Sequence, residues 1–321
     1  MLSLPGMLSL AGLSAFPLTP TNPQGRVDTQ TLRKLVARLV DAQVNSIGLL
    51  GSTGIYMYLT REERRRAVEA AMEETHGRTP LVVGIGALRT DDAVSLAQDA
   101  RAIGADAGLL SAASYTPLTQ DEVFEHFSTV AAQSGLPIII YDNPGTTHFQ
   151  FTPELVARLA RVPGLIAIKN PGVRAEETAH HLARQRAQVP EHFSIGCSGD
   201  WMAAETMIAG ADTWYSVLGG LLPKLCLGIV RAAQQGDAIE ARRLNAALTP
   251  LWDLFRQHSG LRVTYAMAEH LDLCHAQPPR PILPLPQPVK QQVAEVLAAL
   301  RALSDQMESS DRSEFAQNKQ S

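Results

Sequence analysis

The sequence is short of lysine, of paired cysteines, of aromatic rings and of long apolar runs, and each shortage removes a class of function. Only five lysines occur in 321 residues and the net charge is −4. Such a chain has no basic field to gather nucleic acid or anionic lipid. Cys197, Cys226 and Cys274 are odd in number, far apart and without a C-x-x-C pair. That pattern suits reduced thiols in a cytoplasmic protein rather than a disulfide framework. No uncharged apolar window reaches the length of a membrane span. The opening MLSLPGMLSLAGLSAF has no basic n-region and is broken by Pro5 and Gly6, against a secretory signal. The histidines contain no H-E-x-x-H, and His180-His181 points two ways along one helix, so no metal is expected. The partner left by these exclusions is a small molecule, or a second copy of the chain.

What remains is 45% apolar and 19% charged, enough for a sizeable core beneath an ordinary surface. Short, nearly continuous apolar runs recur at SIGLL (46–50), PLVVGIG (80–86), AGLL (107–110), PIIIY (137–141), GLIAIK (164–169), FSIGC (193–197) and TWYSV (213–217). They read as strands buried on both faces. Helical patterns with start signals lie between them. Thr60 precedes REERRRAVEAAMEET, with Glu63 placed to complete a capping box. Thr90 precedes DDAVSLAQDARAI, which is acidic in its first turn and closed by Gly104. Thr119 precedes QDEVFEHF, and Thr152 with Pro153 opens ELVARLARV.

With GLSAFPLT as a first strand, about eight strand–helix units result, which predicts an α/β fold of the (β/α)8 TIM-barrel type. A doubly wound sheet is the competing architecture, but GIGALR at 84–89 has the wrong glycine spacing for its dinucleotide fingerprint. The expected organisation is a lead at 1–9, a barrel at 10–222, a C-terminal helical extension at 223–303 and a disordered tail at 304–321. The extension draws on LLPKLCLGIVRAAQQG, DAIEARRLNAALTPLWDLFRQH and PVKQQVAEVLAALRAL, the last set off by the proline-rich link 277–288.

In parallel barrels the chemistry sits at the carboxyl ends of the strands. Lys169 ends LIAI there, while the other lysines fall in predicted helices, near a helix start or in the tail. Lost hydration at such a site favours the neutral amine, which can attack a carbonyl. The plainer reading is a lysine reaching to water or paired with a carboxylate. Tyr141 ends the preceding strand, within reach of the same mouth, and a phenol there can carry protons; alone it would be rim packing. Gly51-Ser52-Thr53-Gly54 lacks the lysine of a phosphate loop. It offers two hydroxyls and backbone amides to a carboxylate, or serves as an ordinary turn. Gly219-Gly220 before a helical run is a turn or a phosphate cradle.

Taken in order, GSTG, Tyr141-Asp142-Asn143-Pro144, Ile168-Lys169 and Ser198-Gly199-Asp200 resemble the dihydrodipicolinate synthase/N-acetylneuraminate lyase superfamily from about residue 10 to 300. The resemblance implies a Schiff-base lysine at Lys169 and a proton-transferring tyrosine at Tyr141. It implies that Thr53 relays protons to Tyr141, and that Ser52 and Thr53 hold the substrate carboxylate. Tyr115 matches the tyrosine that reaches into a neighbouring subunit's site, hence a homodimer or homotetramer. The implied substrates are pyruvate or a related 2-oxo acid with an aldehyde or sugar acid, and no cofactor is needed.

Two departures bear on the substrate. Ile55 stands where the family carries a glutamate. Thr146 stands where dihydrodipicolinate synthases carry an arginine that grips aspartate semialdehyde, and a threonine cannot supply that bidentate clamp. Asp142, Thr146, Thr147 and His148 are left to meet a hydroxylated or neutral partner, although the plainer reading of His148 is a satisfied surface histidine, and Tyr215 and Trp214 are left to narrow the pocket or to fill the barrel end. The expected activity is aldol cleavage or condensation, or dehydration of a 2-oxo-3-deoxy sugar acid. The alternatives are 4-hydroxy-tetrahydrodipicolinate synthesis for lysine biosynthesis, a phosphate-binding isomerase at Gly219-Gly220, and a catalytically idle binder of 2-oxo acids.

Overall fold

The computed structural model describes residues 10–301. The expected lead at 1–9 and tail at 304–321, with Lys319, lie outside the described residues. Eight parallel strands close in sequence order: β1 (Gly12–Ala15), β2 (Ser46–Leu49), β3 (Leu81–Gly84), β4 (Ala107–Ser111), β5 (Ile138–Tyr141), β6 (Leu165–Asn170), β7 (Ser194–Cys197) and β8 (Thr213–Ser216). Closure runs through β8 on β1, with Gly12 opposite Thr213 and Ser14 opposite Tyr215. The protein is a (β/α)8 TIM barrel, as its alternating runs predict.

Side chains alternate across each strand, so two cores form. Val82, Leu109, Ile139, Ala167 and Tyr215 pack inside the barrel with Leu10, Phe16 and Tyr141. Ile138, Ile140, Ile168 and Trp214 belong to the larger layer between the strands and the helices. Trp214 therefore faces away from the pocket, and of the two expected rings only Tyr215 packs inside the barrel.

The helices are α1 (Thr29–Asp41), α2 (Arg61–Thr75), α3 (Thr90–Ile103), α4 (Gln120–Ser134), α5 (Pro144–Thr147), α6 (Pro153–Leu159), α7 (Ala175–Arg186), α8 (Ala203–Ile208), α9 (Pro223–Gln234), α10 (Ala238–Ala247), α11 (Thr249–His258) and α12 (Gly260–His270), followed by helix at 287–301. α9 packs on β1 and α8 as well as on α10. The single run expected at 237–258 divides at Leu248, where Pro250 opens a new first turn. Among the described residues no helix is long and apolar enough to cross a membrane.

Two start signals resolve differently from expectation. Thr60 accepts from the Glu63 amide, but the Glu63 carboxylate turns to the Val27 amide at 2.7 Å and to Arg66, so no box forms. Thr90 is the first helical residue rather than the cap, and its hydroxyl pairs with His126 Nδ1 at 2.9 Å. The reciprocal box sits instead on Thr119 and Glu122. Gly104 ends α3 at φ 109°, a left-handed position that suits glycine.

Candidate active site

The β5–β6 register sets Tyr141 directly beside Lys169, both turned into the barrel mouth, and the Asp142 amide donates to the Lys169 carbonyl at 3.0 Å. Lys169 is 4% exposed. Its Nζ lies 3.8 Å from the Tyr141 ring centre, 4.7 Å from that of Phe16 and 6.0 Å from that of Tyr215. Ring faces attract a cation, so three aromatic residues stand in for part of the water an ammonium has lost.

The Tyr141 hydroxyl is held from two sides. Asn143 Nδ2 donates to it at 3.0 Å, and Ser52 Oγ lies 3.3 Å away. The loop after β2 thus brings a hydroxyl to Tyr141, but not that of Thr53, the expected relay. Ser52 is the one in contact, while Thr53 is buried beside it with no hydrogen bond to the phenol. The turn carries Ile55 at φ 54°, 1% exposed, an uncommon conformation for a β-branched residue. A glutamate carboxylate there would lie in apolar surroundings. Tyr56, in the turn between β2 and α2, and Ser111, at the end of β4, share a 2.8 Å hydrogen bond, with Ser111 in register with Tyr141. Burial raises the pKa of the Tyr56 phenol.

Asp142 is 8% exposed, and burial pushes its carboxyl up to about 7. Thr146 is exposed on α5, and His148 closes that helix in a left-handed, exposed position. Tyr115 is 96% exposed between β4 and α4, apart from the buried cluster of its own chain.

Asp200 explains the Ser-Gly-Asp signature. It is buried, and burial raises its pKa against the pull of its donors. Trp214 Nε1 donates to Oδ1 at 2.9 Å and the Leu218 amide to Oδ2 at 2.7 Å, tying the end of β7 to the turn after β8. In that turn the Gly219 amide donates to Ser216 Oγ and the Gly220 amide to the Val217 carbonyl. With these amides already engaged, Gly219-Gly220 is a structural turn rather than a phosphate cradle. Among the described residues no group of three His, Cys, Asp or Glu is placed to hold a metal ion.

Sequence reasoning missed Phe16, Asn143 and the Tyr56–Ser111 pair. Asn143 had a signal, its place in the turn after Tyr141. Phe16 had none, since its contacts come from strands far away in sequence.

A barrel lyase is the class that this fold and this strand-end chemistry define. The chain belongs to the dihydrodipicolinate synthetase family, whose model matches residues 9–300. It is 35% identical over 252 residues to the 4-hydroxy-tetrahydrodipicolinate synthase of Methylococcus capsulatus, covering 78% of this chain and 85% of the relative. The Neisseria meningitidis enzyme of the same name is 31% identical over 294 residues, covering 91% and 98%. Among solved structures, the dihydrodipicolinate synthase of Agrobacterium tumefaciens superposes with TM-score 0.89 at 55% identity, covering 91% of this chain and 98% of that one. That of Aquifex aeolicus gives 0.84 at 27% identity, covering 91% and 98%.

Proposed function

We propose that the protein is a Schiff-base-forming lyase acting on pyruvate or a related 2-oxo acid. The observation that carries this reading is the Lys169–Tyr141 pair on adjoining strands, with Ser52 and Asn143 on the phenol. Lys169 Nζ attacks the C2 carbonyl and Tyr141 delivers a proton to the resulting hydroxyl, which leaves as water. The protonated imine then withdraws electrons from the C2–C3 bond region, so a C3 proton can leave to give an enamine. The enamine carbon adds to an aldehyde, or the same route runs backwards as cleavage. When a hydroxyl stands on C4 of a 2-oxo-3-deoxy sugar acid, the enamine can instead expel it as water. Ser52 and Thr53 receive the carboxylate, and Tyr115 is assigned to the site of a neighbouring copy in a homodimer or homotetramer. No cofactor enters, because the amine activates the carbonyl.

The second reading is 4-hydroxy-tetrahydrodipicolinate synthesis, the activity that names the Methylococcus and Neisseria relatives. Thr146 speaks against it: a short hydroxyl on an exposed turn cannot grip a carboxylate bidentately. Borohydride reduction in the presence of pyruvate, read by peptide mass spectrometry, tests the central claim. An adduct on Lys169 that vanishes in Lys169→Ala is expected, and its absence in the wild type would sink the Schiff base. Turnover on a panel of sugar acids and aldehydes, aspartate semialdehyde included, then separates the readings. Trapping without any turnover would favour the idle binder.

A further inference from the structure

Phe16 and Tyr215 together close the barrel beneath the Lys169 amine. The β1–β8 register that seals the barrel brings them together, since the Phe16 amide donates to the Ser216 carbonyl while Ser14 lies opposite Tyr215. Their rings meet edge to face with centres 6.1 Å apart, and both are buried. Three glycines clear the space they occupy. A Cβ on Gly48 or Gly51 would run into the Phe16 ring, and one on Gly196 into the Tyr215 ring. The Phe16 ring therefore lies over the neighbouring β2 and the turn after it, the Tyr215 ring over the neighbouring β7, and Nζ sits over both. They are not stacked against the outer layer.

Interiors packed to this density do not absorb extra methyl groups without displacement. A substrate carbon bonded to Nζ is one bond from an amine already within 4.7 Å of one ring centre and 6.0 Å of the other. The next carbon, C3, begins within van der Waals reach of the same rings, while the carboxylate in the proposed reading goes to Ser52 and Thr53, just past the Phe16 edge that meets Gly51. We propose that Phe16 and Tyr215 form an aromatic floor that selects 2-oxo acids by the bulk on C3, admitting a methyl or a singly substituted methylene and rejecting a branched carbon. The proposal rests on the Schiff-base reading and adds the substrate class that reading leaves open.

The test is borohydride trapping with pyruvate, 2-oxobutanoate and 3-methyl-2-oxobutanoate. Adduct rates are corrected for each acid's reactivity toward a free alkylamine. Wild-type protein is expected to form the branched adduct, which carries two methyl groups more than the pyruvate adduct, at least about tenfold more slowly, since even one extra methyl group in a filled pocket gives that discrimination. Phe16→Ala and Tyr215→Leu are expected to bring that ratio toward one. Phe16→Leu, which keeps most of the apolar volume, is expected to fall between. Each ratio is taken within one protein, so a variant slowed overall still reports. Equal rates for all three acids in the wild type would overturn the floor while leaving the Schiff base standing. So would a ratio unchanged in every variant. No adduct with any acid would remove the Schiff-base reading and the floor with it.

Discussion

At the end of β5 two adjacent residues meet opposite conditions. Tyr141 turns into the mouth with Ser52 and Asn143 on its hydroxyl, whereas Asp142 is nine-tenths buried and burial pushes its carboxyl up to about 7. In the unfolded chain that carboxyl titrates near its ordinary 3.8. Between those values the folded protein keeps a proton that the unfolded chain has released. The stability this gives is complete below the unfolded value and is lost as pH rises through the folded one. Asp142→Asn should therefore be more stable than the wild type at pH 8, by about 2–4 kcal/mol, and little different at pH 4. Thermal melts at the two pH values check this, and a constant difference would contradict it. Replacing Tyr141 with phenylalanine should slow adduct formation on Lys169 by about 10²-fold or more, with an unchanged melting curve. Lys169 and Tyr141 were legible because each ends an apolar run. Which hydroxyl of Ser52-Thr53 meets the phenol was not, because the twist of the turn decides it and adjacent residues look alike in sequence.

Helix starts show how local chemistry yields to tertiary contacts. Thr119 keeps its reciprocal box with Glu122, while the Glu63 carboxylate leaves Thr60 for the buried Val27 amide, a donor that would otherwise lie unpaired. Thr119→Ala should cost about 0.5–2 kcal/mol. Thr90→Ala removes no cap, and its loss should be confined to the His126 contact. Urea denaturation of the two variants distinguishes them. The Asp200 clamp is a larger feature of the same kind. Asp200→Ala strands Trp214 Nε1 and the Leu218 amide in the interior, and should cost about 3 kcal/mol or more. The strand runs were legible because every strand is buried on two faces. α12 escaped notice because Gly260, Val263 and Thr264 are weak helix formers, and its stability comes from packing Val263, Tyr265 and Met267. The break at Leu248 was hidden because both halves carry helical spacing.

For the whole molecule, the shared site proposed above turns on the exposed ring of Tyr115. An aromatic side chain 96% in solvent contributes nothing to the core of its own chain. Mixing Tyr115→Phe and Lys169→Ala chains should restore part of the activity that each homo-oligomer lacks, since some mixed pairs then hold one complete site. Activity no higher than the sum of the separate proteins would assign Tyr115 no role across the interface. Closure of the barrel was legible only as a count of strands. The Phe16–Tyr215 contact depends on joining the two ends of the sheet, some two hundred residues apart, and no local pattern announces it.

That joint completes the barrel wall by pairing β8 with β1. Among the described residues, Leu10, Val82, Leu109, Ile139 and the two rings fill the interior below Lys169. In the Schiff-base reading proposed above, the water set free when the imine forms leaves by the passage the acid entered. A second reactant seated over the imine would block that exit. The same reading predicts an order in time: the oxo acid enters first, water departs, and only then does the partner molecule take its place.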